Sequence, residues 1–197
     1  MKKIMFNDKY GLTDAVIHCR KTMTRRVIKD KELIYSLQES EHFGGCFSEN
    51  HIRGYRVGEV VGVAQSYKDL GWKGDEIWID PKSLDGKGVI RHSPGWKNKM
   101  FVRAEACTTR IRIKDIRVER LQDISDEDCL REGVFKWGDP FHEDRVEDFG
   151  FFGATIHYDT PREAFADLID KVSGRGTWKR NPWVYVYEFE LEKGGDR

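Results

Sequence analysis

Long apolar runs are missing from this 197-residue chain, as are a cysteine framework, a proline-rich tract, an internal repeat and any net charge. Each gap excludes a class. No stretch approaches the roughly 20 consecutive apolar residues of a membrane-crossing helix. Met1-Lys2-Lys3 is not followed by the apolar core of a secretory signal, so a cytoplasmic domain without a membrane partner is expected. The four cysteines (Cys19, Cys46, Cys107, Cys129) are scattered and contain no C-x-x-C pair, which argues against a disulfide scaffold in so long a chain. His42, Cys46 and His51 are the nearest approach to a ligand cluster, but no second ligand pair lies at zinc-site spacing. They read as a polar loop, and no metal or cofactor is expected.

What is present is charge and aromatic mass. Charged residues make up 35% and aromatics 12%, with six Trp, enough burial potential to exclude disorder. A chain of this length buries roughly 70% of its unfolded surface and needs no staple. Lys+Arg and Asp+Glu both total 34, yet they are unevenly placed. Residues 1–29 hold eight basic residues and only Asp8 and Asp14, whereas residues 119–170 hold fifteen acids against five bases. Local potential, not the sum, steers a polyanion.

The pattern predicts one α+β domain over 1–197, with insertions near 30–54, 66–99 and 136–158. Residues 1–6 read as a strand. Leu12, Ala15, Val16 and Cys19 have helical spacing. Arg56–Val63 reads as a strand entered through a turn at Gly58, and a small hairpin is expected around Ile77–Ile79. From Met100 to Leu121 apolar and polar residues alternate as in a strand, and the phase slips after Lys114, predicting a bulge near Asp115. Arg110, Arg112 and Lys114 then share one face, either a phosphate contact or, the better reading, the wet side of a half-buried strand. Ser125 opens a two-turn helix that Gly133 ends. Thr160-Pro161 opens a longer one, with Ala164, Phe165, Leu168, Ile169 and Val172 as its apolar stripe. Trp183–Leu191 is a closing strand. Several strands, few helices and long loops suggest a small barrel whose loops carry the function.

The densest chemical feature is Arg20-Lys21-Thr22-Met23-Thr24-Arg25-Arg26, four cations and two hydroxyls directly after a helix. Such a set favours phosphate or another anion. Ion pairs from Arg25 and Arg26 to the acidic 119–148 region are the structural alternative. Tyr55, Trp72, Trp96 and Trp178 are either core residues or platforms for stacked bases.

This segment resembles the signature of the ASCH domain, a member of the PUA-like β-barrel superfamily. Tyr55-Arg56-Val57-Gly58-Glu59-Val60-Val61 and the closing aromatic strand are similar to further family elements, and the layout looks most like the larger bacterial and phage members. The resemblance implies a small PUA-like β-barrel with flanking helices and a basic cleft that binds RNA, a nucleoside or a nucleotide through Arg20, Lys21, Thr22, Thr24, Arg25 and Arg26. It also implies an alternative. Some small members are amidohydrolases that deacetylate acetylcytidine, and others have been credited with cleaving RNA. Carried over by motif, the working residues of such a hydrolase are Lys21, Thr24 and Glu132. A Thr hydroxyl needs a base within reach, and Lys21 serves as one only if its pKa falls.

Overall fold

In the computed structural model, residues 1–43, 54–70, 93–137 and 148–192 are described. Seven strands and five helices are found among them: β1 (Lys2–Ile4), α1 (Leu12–Ile17), β2 (Met23–Val27), α2 (Lys31–Phe43), β3 (Val60–Val63), β4 (Arg110–Arg120), α3 (Asp126–Arg131), β5 (Phe135–Trp137), β6 (Asp148–Gly150), α4 (Pro161–Ser173), α5 (Thr177–Arg180) and β7 (Trp183–Leu191). Five strands form one mixed sheet in the order β1-β3-β4-β7-β2, and β5 pairs with β6. The α+β class is as expected. The closed barrel is not found among the described residues, because β1 and β2 end the strand order as opposite edges. No ladder joins them; the Arg26 guanidinium instead donates to the Met5 carbonyl at 2.6 Å.

The long β4–β7 ladder organises the sheet. Its register shifts between Ile113 and Asp115, where the phase slip predicts a bulge. A one-residue slip turns every later side chain over. Beyond it, Arg117 is level with Val186 of β7, which is level with Arg25 of β2. The bulge thus brings Arg117 and Glu119 to the face that carries Arg25. The other face keeps Ile111, Ile113 and Ile116 in the core with Phe189, Tyr187 and Tyr185. Arg112 and Lys114 form the wet side as expected, paired to Glu192 and Glu190 at 2.7 and 3.3 Å.

Three expectations are corrected. Residues 31–43, expected as irregular chain, form α2. The Asp30 carboxylate accepts from the Glu32 and Leu33 amides at its start, and Leu33 and Leu37 enter the core. The alternation at 100–106 is not a strand but two 3₁₀ turns, Lys99–Phe101 and Ala104–Ala106. Asn98 caps the first turn through its side chain, and only Val102 and Cys107 are buried there. The Gly58 turn exists, at φ +80°, but its strand begins only at Val60. Within the 136–158 segment, β6 pairs with β5, Phe149 bridges Tyr158, and Phe151 is fully buried. The Ile77–Ile79 hairpin, Trp72 and the His42, Cys46 and His51 side chains lie outside the described residues.

α3 and α4 follow their sequence signals. Ser125 accepts from the Asp128 amide at 3.1 Å, and Thr160 from the Glu163 amide at 3.2 Å. Phe165 and Leu168 of α4 are buried in the main core, where Phe165 meets the Trp178 ring edge-on.

Candidate functional site

Two turns aim the site. After α1 the chain passes through Cys19 at φ +57°, a left-handed conformation uncommon outside glycine. The Arg20 and Lys21 amides both donate to the Ala15 carbonyl, at 2.8 and 2.9 Å, which reverses the chain into β2. After α3, Gly133 stands at φ +109°. A Cβ there would lie 2.9 Å from Leu12 Cδ2 and 3.8 Å from Lys21 Cδ. A glycine therefore allows the end of α3 to close over the Lys21 stem.

Lys21 is 2% exposed, and its ammonium donates to the Glu132 carbonyl and to Glu132 Oε2, both at 2.6 Å. Burial pulls its pKa below the ordinary lysine value; the Glu132 charge and hydrogen bond pull the other way, and burial wins. Arg25 takes the second carboxylate oxygen, Nη1 to Glu132 Oε1 at 3.2 Å. Its Nε and Nη2 donate to Glu119 Oε1 at 2.9 and 2.6 Å, and Nη2 reaches Asp128 Oδ2 at 2.8 Å. Burial opposes the Arg25 charge, but Glu132, Asp128 and Glu119 together raise its pKa. Arg117 and Arg131 complete the network, on Glu119 and Asp128 and on Asp128 and Glu188. Four cations thus meet four carboxylates across β2, β4, β7 and the end of α3, so neither sign is left in excess.

This network borders a cavity of about 490 Å³ along the free edge of β2. Phe165, Leu168, Ile169 and Val172 of α4 form an apolar wall, continued by Phe6 and Leu12. Lys21, Thr24 and Glu132 line it beside Arg25, and Arg26, Lys29 and Arg180 add further cations. Thr24 is 5% exposed and pairs with Tyr187 through the backbone ladder. A hollow that sets an apolar wall against convergent polar groups is a usual form of a small-molecule site.

The candidate residues divide. Lys21, Thr24, Arg25, Arg26 and Glu132 reach the one cavity. Arg20 does not; it is exposed and paired with Asp14. Thr22 does not either, since its hydroxyl accepts from Arg131 Nε at 3.2 Å. Arg25 makes the expected ion pairs to the acidic region, whereas Arg26 takes the Met5 carbonyl. Sequence reasoning misses Lys29, Arg180 and the α4 wall; the stripe reads as core alone, and nothing in its spacing marks which residues border a void. Tyr55 and Trp178 are half-buried against Tyr187 and Phe165, and Trp96 packs on a small second core. Among the described residues no group of His, Cys, Asp and Glu is arranged to hold a metal, and no helix is long and apolar enough to cross a membrane.

No family model and no curated protein matches the chain. Among solved structures it is similar to the ASCH domain from Lactobacillus crispatus JV V101, over 94% of this chain and 75% of that one, at 10% identity and a TM-score of 0.35. That is the family whose signature the Lys21–Arg26 segment resembles, and the likeness is loose.

Proposed function

We propose that the protein binds a nucleoside unit, free or as part of RNA, in the cavity along β2. The observation that carries this reading is the composition of that one hollow. Four apolar side chains of α4 face a floor of Lys21, Thr24 and Glu132, and Lys21, Arg25, Arg26, Lys29 and Arg180 outnumber the single lining carboxylate. An apolar wall suits a base face, buried polar groups suit its hydrogen-bonding edge, and excess cations suit a phosphate-bearing ligand. The volume lies within the range of about 300–1,000 Å³ usual for such ligands. The reading is tested by titrating the protein with ribonucleosides, ribonucleotides and short RNA at two salt concentrations. Saturable binding that weakens with salt supports it; no binding by any of them overturns it.

One observation favours a second reading, a hydrolase. Lys21 has its pKa lowered by burial and borders the cavity together with Thr24 and Glu132, the trio that the ASCH resemblance assigns to amide hydrolysis. In this reading Lys21, as the neutral amine, takes the Thr24 hydroxyl proton as the oxygen attacks the acetyl carbon; the amide C–N bond then breaks with that proton passed to the leaving amine, and water hydrolyses the acetyl-threonine ester to acetate. Acetate release from acetylcytidine that is lost in Thr24→Ala with binding retained supports it. Absence of release from the wild type removes it and leaves the binding reading in place.

A further inference from the structure

The five cations of the cavity are not equivalent. Lys21 is held by Glu132, and Arg25 by Glu132, Glu119 and Asp128. The other three have no carboxylate within ion-pair distance among the described residues. The Arg26 guanidinium donates to the Met5 carbonyl and lies over the Phe6 ring, 5.6 Å from its centroid. Among the described residues Arg180 donates to the Arg175 carbonyl and the Thr177 hydroxyl, at 3.3 and 2.9 Å. Lys29, beyond the end of β2, also lines the cavity. Neutral acceptors leave a guanidinium its full charge, and Arg26 and Arg180 approach the same hollow from β2 and α5.

We infer that Arg26, Lys29 and Arg180 form a phosphate subsite at the rim of the cavity, selecting a ligand that ends in a phosphate monoester. A monoester carries about −1.5 to −2 charges at neutral pH, more than the single charge of an internal RNA linkage. Three uncompensated cations match the monoester better than the diester. Guanidinium groups offer paired donors to phosphate oxygens, and a lysine adds a mobile point charge. The ligand is then a mononucleotide or the phosphorylated end of an RNA, rather than a free nucleoside or a mid-strand segment. This inference rests on the reading that the cavity holds a nucleoside unit.

The test titrates the wild-type protein with the four ribonucleosides, their 5′-monophosphates, and tetraribonucleotides with and without a 5′-phosphate. Charge-assisted hydrogen bonds to one phosphate imply at least about tenfold tighter binding of phosphorylated over unphosphorylated probes in low salt. The preference shrinks as salt rises. In the double variant Lys29→Ala/Arg180→Ala it falls to about twofold, a conversion of the same charge-assisted terms. Thermal melting of that variant should match the wild type, because neither side chain anchors the core. Tight binding of mononucleotides identifies a free nucleotide as the source of the phosphate; a preference seen only with tetranucleotides identifies an RNA end. Equal affinity for phosphorylated and unphosphorylated probes overturns the subsite while leaving nucleoside binding standing. Preference retained by the double variant overturns its assignment to these residues. Absence of all binding overturns the cavity reading itself.

Discussion

Replacing Glu132 by Gln probes the buried network where its charges are closest. Both carboxylate oxygens are engaged, Oε2 by Lys21 at 2.6 Å and Oε1 by Arg25 at 3.2 Å. Gln keeps the shape but removes the charge, leaving Lys21, Arg25, Arg117 and Arg131 with Glu119, Asp128 and Glu188. Removing one member of a buried pair costs about 3–5 kcal/mol. Two features hold the loss toward the lower end: Arg25 keeps Glu119 and Asp128, and Lys21 keeps the Glu132 carbonyl. Lys21 can also shed its proton. Neutralising, at pH 7, a lysine that ordinarily titrates at 10.5 costs about 5 kcal/mol, which caps the damage. A loss of about 3 kcal/mol is expected at pH 7, seen as a Tm lower by roughly 6–12 °C. The sign of the pH dependence follows from linkage. The folded-state pKa of Lys21 already lies below its unfolded value, and losing Glu132 lowers it further. The unfolded variant then binds more protons than the folded one over a wider window below pH 10.5. The deficit relative to wild type should therefore shrink as pH rises. Urea denaturation of both proteins at pH 6.5 and pH 9.5 measures it; a loss under about 1 kcal/mol, or a deficit that grows with pH, refutes the reasoning.

Gly133→Ala should cost about 2 kcal/mol or more, since it combines a positive φ with a Cβ 2.9 Å from Leu12; urea midpoints check it. Arg25→Lys keeps the charge but loses the fork that spans Glu119, Asp128 and Glu132, and should lower stability by about 1–3 kcal/mol in the same assay. Val172→Trp should fill the cavity from its α4 side and reduce nucleotide binding at least about tenfold, with a near wild-type Tm, because a ligand cannot share the volume the indole takes. The Cys129 thiol is pushed up to about 12 by burial, and Cys107 is also raised by burial, whereas Cys19 is exposed. Iodoacetamide at pH 8 should label Cys19 in the native protein and reach Cys107 and Cys129 only after unfolding.

Local rules are enough for the elements that carry their own signals. Caps at Ser125 and Thr160, the stop at Gly133 and the phase slip at Lys114 each have a short-range cause, and each appears where its residues stand. The stretches that depart from expectation are those whose outcome depends on distant partners. At 100–106 the alternation is real, but no neighbouring strand among the described residues pairs with it, and Asn98 capping turns the chain into 3₁₀ geometry. Helix α2 has a weak apolar face and depends on Leu33 and Leu37 finding the core. In the site, the basic segment is visible as a block, but its division is not. Lys21 and Arg25 turn inward because Glu132, Glu119 and Asp128, about a hundred residues away, meet them there. Arg20 stays outside because Asp14 is nearer. Arg180 reaches the cavity only through the packing of α5 beside α4, which no spacing within the chain encodes.

Amide chemical-shift mapping during titration with a ribonucleoside 5′-monophosphate tests most directly whether the hollow beside β2 is where ligand sits. The expected shifts cluster at Thr24, Arg26, Val172 and Thr177, on the two sides of the cavity, and saturate together. Shifts confined elsewhere, for example to Asp8, Gln65 and Asp69 around the second and smaller hollow, or no shifts at all, would contradict it.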